Sequence, residues 1–170
     1  DTETLVETAI DLYKENDLKG NILDLCTGSG AIASSIAKEL NRDVKMADIS
    51  LLASETAKEN YERLIGRKAD IKVGDLFEKW EGCKFSLIVS NPPYLTAKWC
   101  DEVDEDVKKE PRLALYGFDE DGLGIIRRII KDSGNFLEKG GYIALECDYR
   151  QCSMLSKLLE TEGYSGVNIK

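Results

Sequence analysis

The residues best suited to chemistry lie in one short stretch, Ser90-Asn91-Pro92-Pro93-Tyr94, directly after the apolar run 85–89. The apolar run predicts a buried strand, and the prolines end it because neither can donate a hydrogen bond to a neighbouring strand. We expect a stiff turn that holds an amide, a backbone carbonyl and an aromatic ring in fixed relation. Such a turn suits a small planar group, although the same residues could simply end a strand.

A second candidate is the glycine-rich turn Thr27-Gly28-Ser29-Gly30, between a predicted strand and a predicted helix. Glycines let a backbone approach a ligand closely, and a helix start offers free N–H groups. Residues 28–33 also fit the dinucleotide pattern G-x-G-x-x-(G/A), which any tight strand-to-helix turn can fit as well. Asp24, at the strand end, distinguishes between ligands, because its carboxylate would repel a pyrophosphate but could bind an ammonium group.

Two further carboxylates follow predicted strands. Asp48 could accept hydrogen bonds from both hydroxyls of a ribose. Asp75 could accept one from the amino group of adenine, and its neighbour Leu76 could pack on the ring. Taken singly, Asp48 could be a helix cap or a solvated acid, and Asp75 part of an ordinary turn. With the glycine turn, they predict an adenosine that carries an amine and no phosphates, which describes S-adenosyl-L-methionine rather than NAD or ATP.

Composition excludes several classes of chemistry. The 170 residues have a formal net charge of −9 and no histidine, which excludes histidine bases, histidine-dependent triads and histidine-containing zinc sites. The five cysteines are scattered without a C-x-x-C pair, so we expect reduced thiols in a cytoplasmic protein and no metal site. No long window is apolar and the chain opens with acidic residues, so we expect neither a signal peptide nor membrane association. An acidic chain without a basic stripe is also a poor match for a nucleic-acid backbone.

The elements that must position these residues alternate between helices and strands. Predicted helices cover 4–16, 31–40, 50–65, 122–137 and 150–162, and predicted strands cover 22–25, 44–48, 71–73, 85–89, 142–146 and 167–169. Residues 95–118 have no clean period and are expected to form a long loop. This alternation predicts an α/β fold with a mostly parallel, twisted sheet and helices on both faces. Because ligands of such sheets bind beyond the carboxyl ends of the strands, Asp24, Asp48, Asp75 and Asn91 should meet at one edge.

These motifs together resemble the class I S-adenosylmethionine-dependent methyltransferases. The segment Asp24-Leu-Cys-Thr-Gly-Ser-Gly30 is similar to their cofactor loop, and Asn91-Pro-Pro-Tyr94 is similar to the N-P-P-Y motif of members that methylate a planar nitrogen. Within this superfamily the chain resembles the release factor N5-glutamine methyltransferases (PrmC/HemK family). Three further segments carry that resemblance: Asp1-Thr2-Glu3-Thr4-Leu5-Val6-Glu7, Lys109-Glu110-Pro111-Arg112-Leu113-Ala114-Leu115 and Asp121-Gly122-Leu123.

The resemblance implies a Rossmann-like domain that transfers a methyl group from S-adenosyl-L-methionine to a glutamine side-chain amide in a class 1 peptide-chain release factor, with S-adenosyl-L-homocysteine as product. We assign catalysis to Asn91, Pro92 and Tyr94, and substrate binding to these three with Pro93. The residues expected to bind the cofactor are Asp24, Cys26, Thr27, Gly28, Ser29, Gly30, Asp48, Asp75, Leu76 and Asn91.

The chain departs from the family pattern in two ways. Cys26 stands where a glycine is usual, and we expect its backbone to avoid positive φ. The family's N-terminal helical domain and final strand pair are missing or cut short, so we predict a single cofactor-binding domain over 1–170 that is a fragment of a longer protein. We expect a monomer.

Three alternatives stay open. The first is an N6-adenine or other planar-nitrogen methyltransferase acting on DNA or RNA; a run of acids after Tyr94 argues against nucleic acid as the direct substrate. Its members are Asp101, Glu102, Asp104, Glu105 and Asp106. The second is an NAD-dependent dehydrogenase, and the third is a binding module that keeps the fold without catalysis.

Overall fold

The computed structural model describes residues 2–103 and 109–170, and these ranges contain five strands and seven α-helices. The strands are β1 (Ile22–Leu25), β2 (Val44–Asp48), β3 (Asp70–Val73), β4 (Phe85–Ser90) and β5 (Leu137–Leu145). The helices are α1 (Thr2–Glu15), α2 (Ala31–Leu40), α3 (Leu51–Ile65), α4 (Ala97–Glu102), α5 (Arg112–Leu115), α6 (Gly124–Ser133) and α7 (Cys152–Thr161). Asp1 and three acids of the predicted acidic run, Asp104, Glu105 and Asp106, lie outside the described residues.

All five strands form one sheet in the order β3-β2-β1-β4-β5, and every neighbouring pair is parallel. The two central strands, β1 and β4, are buried along their whole length. Central strands of a parallel sheet are covered on both faces, which explains why these two are almost continuously apolar. The sheet confirms the predicted α/β fold.

The core lies between one face of this sheet and helices α1 to α3. Alternate strand residues such as Ile22, Met46 and Leu87 belong to a cluster with apolar residues of the three helices. Their neighbours Leu23 and Ile88 point to the opposite face and are also fully buried. The period-two alternation therefore separates two buried faces, as the predicted architecture requires.

The chain divides into two compact units. The first comprises Asp1–Asn91 and Asn135–Glu146, and it contains the sheet and helices α1 to α3. The second comprises Pro92–Gly134 and Cys147–Lys170, and it contains α4 to α7. The single cofactor-binding domain stays a prediction. No helix within the described ranges combines the length and the apolar character needed to span a membrane.

Two strand predictions are wrong: that of a sixth strand at 167–169, and that of a fifth strand beginning at residue 142. Residues 167–169 form no strand, because an extended segment becomes a strand only when another strand pairs with it. The fifth strand begins at Leu137, and its pairing jumps from Phe85↔Leu137 to Leu87↔Tyr142. The segment 139–141, predicted as a turn, is thus a bulge inside the strand, and α6 ends at Ser133 instead of 137.

The predicted long loop is also partly wrong, because residues 95–118 contain two short helices. Helix α4 begins after Thr96, whose hydroxyl accepts a hydrogen bond from the Trp99 N–H at 3.1 Å. Helix α5 follows Pro111. Both are too short to show a helical period, so sequence periodicity could not reveal them.

Candidate active site

The register of the sheet brings the carboxyl ends of four strands to one edge of the first unit. Leu25, at the end of β1, lies between Ala47 of β2 and Ser90 of β4. Asp48, at the end of β2, lies opposite Val73 of β3. The residues predicted to bind the cofactor all belong to this unit and lie near the carboxyl ends of these strands or in the loops that follow them.

Asp24 is fully buried beneath the glycine turn. Its Oδ2 accepts hydrogen bonds from Thr27 Oγ1 at 2.6 Å and from the Ala33 N–H at 3.2 Å. Burial raises the pKa of Asp24 to about 7; the two hydrogen bonds oppose this shift and the charge of Asp48 adds to it. Its Oδ1 has no hydrogen-bond partner among the described residues. The carboxylate therefore fixes the turn to β1, and its contact with a ligand ammonium group stays a prediction.

Asp48 connects β2 to the same turn and to the next helix. Its Oδ2 accepts a hydrogen bond from the Gly28 N–H and its Oδ1 accepts one from the Ser50 N–H, both at 2.9 Å. The side chain is half-buried. Because a carboxylate offers about four acceptor positions, Asp48 keeps capacity for the two hydroxyls of a ribose.

The expectation that Cys26 avoids positive φ is wrong, since its φ is +56°. The turn is held at Thr27, directly after Cys26, because the Thr27 hydroxyl donates to the Asp24 side chain and the Thr27 N–H donates to the Ala47 carbonyl at 3.1 Å. These bonds compensate for a left-handed conformation that costs a non-glycine residue about 1–2 kcal/mol. Burial raises the pKa of the Cys26 thiol to about 12, with a further contribution from Asp48. The thiol is therefore neutral at physiological pH and a weak nucleophile.

Gly30 is the position in the turn where a side chain would be both strained and crowded. Its φ is +77°, and a Cβ atom there would lie 3.1 Å from Ala57 of α3. The close approach of α2 to α3 thus requires glycine. Ser29, by contrast, is exposed, and its carbonyl accepts a hydrogen bond from Asn60 Nδ2 at 2.9 Å.

The apolar surface at this edge comes from residues that the sequence reasoning missed. Leu76, predicted to pack on the adenine ring, is only 8% exposed, whereas Ile49 is 55% and Val73 is 41% exposed. Ile49 directly follows Asp48, and Val73 lies opposite Asp48 in the sheet. An apolar residue directly after a strand-ending acid, where a polar loop residue is usual, was the available signal. Asp75 is half-buried in the loop after β3.

Asn91 follows the end of β4, and its side chain is oriented by a residue of α1. Asn91 Nδ2 donates a hydrogen bond to Thr2 Oγ1 at 3.1 Å. The end of β4 is itself fixed, because Ser90 Oγ donates to the Leu25 carbonyl at 2.7 Å. Because the amide nitrogen of Asn91 donates to Thr2, the amide oxygen of Asn91 is the group that can accept a hydrogen bond from a substrate. The sequence reasoning did not assign Thr2 a role.

The rest of the motif belongs to the second unit. Pro92 is buried, and Pro93 and Tyr94 are half-buried. The Tyr94 carbonyl accepts a hydrogen bond from Gln151 Nε2 at 2.8 Å. Sequence reasoning missed Gln151, which lies 57 residues further along the chain. Among the described residues, no group of three or more Cys, Asp or Glu side chains is placed to hold a metal ion.

Comparison with known proteins gives a consistent result. A family model described as "Methyltransferase small domain" matches residues 2–109. The release factor glutamine methyltransferase of Clostridium acetobutylicum is 40% identical over an alignment of 176 positions that covers 100% of this chain and 61% of that protein. The protein of the same name from Vibrio cholerae is 40% identical over 169 residues, or 98% of this chain and 58% of that protein. The chain thus spans about 60% of the length of these curated relatives.

Solved structures share the fold at much lower identity. The ribosomal protein L11 methylase of Lactobacillus delbrueckii subsp. bulgaricus is 20% identical with a TM-score of 0.69, over 99% of this chain and 72% of that one. The plantazolicin methyltransferase BpumL, solved in complex with SAH, is 14% identical with a TM-score of 0.53, over 93% of this chain and 54% of that one.

Proposed function

The chain belongs to the methyltransferase small domain family, and on this premise we propose that it transfers a methyl group from S-adenosyl-L-methionine to the side-chain amide nitrogen of a glutamine in a peptide-chain release factor. The main support for this proposal is the similarity, along the whole chain, to proteins named release factor glutamine methyltransferase. The available oxygen of Asn91 supports the chemistry, because an amide nitrogen presents N–H groups to such an acceptor. A cytoplasmic location and a monomeric state belong to the same proposal.

The first unit suits the proposed cofactor. Asp48 has acceptor positions for the ribose hydroxyls, and Ile49 and Val73 offer exposed apolar surface beside it. The unpartnered Oδ1 of Asp24 suits an ammonium group. S-adenosyl-L-methionine supplies an electrophilic methyl group on a sulfonium centre. The residues proposed to hold it are those predicted from the sequence, with Ile49 and Val73 added.

The residues of the motif must overcome the weak nucleophilicity of an amide, whose nitrogen lone pair is delocalised into the carbonyl group. The Asn91 side-chain oxygen and the Pro92 carbonyl accept hydrogen bonds from the two N–H groups and turn the lone pair towards the methyl group. Orientation of this kind lowers a barrier by up to roughly 7–11 kcal/mol. Tyr94 offers a ring face to the positive charge, a contact that contributes about 0.5–2 kcal/mol. The proton leaves to water afterwards, so no histidine base is needed.

The test is the Asn91→Ala variant of the full-length protein. We expect methyl transfer to a release factor to fall by at least about 100-fold, as for loss of one positioned hydrogen-bonding group in other active sites. Calorimetry should still show binding of S-adenosyl-L-methionine, with an affinity that falls much less than the rate of transfer, because Asp24, Asp48 and the glycine turn are intact. Asn168→Ala, which changes an exposed asparagine, is the matched control.

Labelled cofactor is offered in parallel with a release factor, with the same factor carrying a Gln→Ala change at the labelled position, and with DNA and RNA. Labelling of the release factor that is lost in the Gln→Ala factor supports the proposal. Labelling of DNA or RNA alone would establish the N6-adenine alternative. Near-normal turnover of Asn91→Ala would contradict the mechanism.

A further inference from the structure

A buried glutamine of the second unit makes three hydrogen bonds with its side-chain amide. Gln151 is only 2% exposed. Its Nε2 donates to the Tyr94 carbonyl and to the Asp121 carbonyl, each at 2.8 Å. Its Oε1 accepts from the Asp148 N–H at 3.1 Å. Both amide hydrogens are therefore used on backbone carbonyls of two separate loops, which only a side chain with two donors on one atom can achieve in this way.

The position of Gln151 is fixed by the start of a helix. It is the last residue of the 3₁₀ turn Tyr149–Gln151, which leads directly into α7. Asp148 precedes this turn, and its side chain accepts from the Arg150 N–H at 2.9 Å while its own N–H donates to Gln151. This reciprocal capping box stabilises the first turn of a helix. The amide of Gln151 thus projects from a rigid element.

The two carbonyls that Gln151 joins lie in segments whose backbones pack closely against each other. A Cβ atom on Gly122 would lie 2.3 Å from the Tyr94 carbonyl oxygen, and one on Gly117 would lie 2.7 Å from the Pro93 carbonyl oxygen. Just beyond Tyr94, the Leu95 N–H donates to the Leu115 carbonyl at 2.9 Å. The backbone from 93 to 95 is therefore held against the segment 115–122, and Gln151 bonds to both.

We propose that Gln151 is a positioning residue for methyl transfer. By bonding the Tyr94 carbonyl to the loop that carries Asp121, it fixes the backbone of 92–94, which supplies the Pro92 carbonyl and the Tyr94 ring to the substrate amide. This inference rests on the proposed function for its catalytic consequence. Its structural part, the fixing of the backbone at Tyr94 by the Gln151 amide, can be measured without any substrate.

The test uses the full-length protein with Gln151→Glu. The substitution keeps the shape and the acceptor for the Asp148 N–H, but places a carboxylate oxygen against two carbonyl oxygens. We expect kcat at pH 8 to fall by at least about tenfold, as for loss of hydrogen bonds to buried groups, with the cofactor dissociation constant changed by less than about twofold. As the pH is lowered, kcat relative to wild type should recover in part, because a protonated carboxyl group regains one donor. Gln151→Met has no donor and should show no recovery.

Tyr164→Phe is the matched control, because it removes a partly buried hydroxyl contact elsewhere in the same unit, that of Tyr164 OH with Ser133 Oγ at 2.5 Å. Hydrogen exchange at the amides of Leu95 and Gly117 should accelerate in Gln151→Glu and stay at the wild-type rate in Tyr164→Phe. Unchanged exchange in Gln151→Glu, or an equal loss of kcat in Tyr164→Phe, would overturn the inference. If the wild-type protein methylates no acceptor, the proposed function fails, while the exchange rates still decide whether Gln151 fixes the segment.

Discussion

Asp24 and Asp48 hold the glycine turn in place, in addition to their predicted roles in ligand binding. Asp24 accepts a hydrogen bond from Thr27 and Asp48 accepts one from the Gly28 N–H, so both carboxylates hold the glycine turn. A turn held from two strands loses little freedom when a ligand binds. At the scale of single residues, Asp24 and Asp48 thus stabilise the glycine turn, a role that was not predicted from the sequence.

The raised pKa of Asp24 makes stability depend on pH. The folded protein keeps this proton up to about pH 7, whereas the unfolded chain releases it near its ordinary value of 3.8. The contribution of Asp24 to the free energy of unfolding is therefore fully present below about pH 4 and is lost as the pH rises to about 7. At 1.36 kcal/mol per pKa unit the loss is on the order of 4 kcal/mol. We expect Asp24→Asn, which does not titrate, to gain stability relative to wild type over this range.

Urea unfolding at several pH values between 4 and 8 measures this difference. Asp43→Asn is the control, because Asp43 lies at the opposite end of β2 with its side chain 69% exposed. A constant difference between wild type and Asp24→Asn at all pH values would contradict the prediction.

Thr2 orients the side chain of Asn91, and Thr2→Val should therefore affect turnover. Valine has the same shape without the hydroxyl that accepts from Asn91 Nδ2. A hydrogen bond of this kind contributes about 0.5–1.5 kcal/mol, so we expect kcat to fall by about 2- to 10-fold with little change in cofactor affinity. Steady-state kinetics on the full-length protein measure both. Thr2→Ser should restore turnover, and Thr4→Val, an exposed change on the same helix, should leave kcat at the wild-type value.

At the scale of elements, the described parts of the connection between β4 and α6 pack through close backbone contacts. Leu95 pairs with Tyr116 in an isolated parallel bridge, and Gly117 and Gly122 lie where no Cβ atom fits. Within the described residues, the stretch 115–122 is therefore held beside Tyr94, although it looks irregular in sequence. The family-like segment around Asp121 belongs to this stretch.

Gly122→Ala tests the close contact with Tyr94. Gly122 has φ +74°, and its Cβ would also collide with the Tyr94 carbonyl oxygen. Gly166 has a similar φ of +69° with nothing within 4 Å, so Gly166→Ala carries the backbone strain alone, about 1–2 kcal/mol. We expect the free energy of unfolding to fall by roughly 1–3 kcal/mol more in Gly122→Ala than in Gly166→Ala, which is the cost of overpacking. Chemical unfolding of the two variants measures this difference. Equal losses in the two variants would show that the collision is relieved at no cost.

At the scale of the whole molecule, every residue predicted to bind the cofactor lies in the first unit. We therefore expect this chain of 170 residues to bind S-adenosyl-L-homocysteine. At a ligand concentration of about 100 times the dissociation constant, binding adds about 2.7 kcal/mol, or a rise in Tm of roughly 5–10 °C. Thermal denaturation with S-adenosyl-L-homocysteine and, separately, with NAD measures this shift in Tm. We expect NAD to give no shift.

Two variants make that measurement specific. Asp48→Ala removes the carboxylate predicted to bind the ribose and should weaken binding at least about tenfold, or 1.4 kcal/mol. Asp43→Ala changes an acid at the other end of the same strand and should bind normally. A shift with NAD instead of S-adenosyl-L-homocysteine would favour the dehydrogenase alternative.

The sequence by itself determined the parallel α/β fold, the placement of Asp24, Asp48 and Asn91 at strand ends, and the two motifs, because apolar periodicity and turn residues act over a few neighbouring positions. The tertiary structure decided the rest. The bulge in β5 and the absence of a strand at 167–169 depend on pairing with distant strands. The positive φ of Cys26 depends on bonds that hold the turn, and the contacts Thr2–Asn91 and Gln151–Tyr94 join residues 89 and 57 positions apart. No local pattern encodes such contacts, since they exist only once the chain has folded.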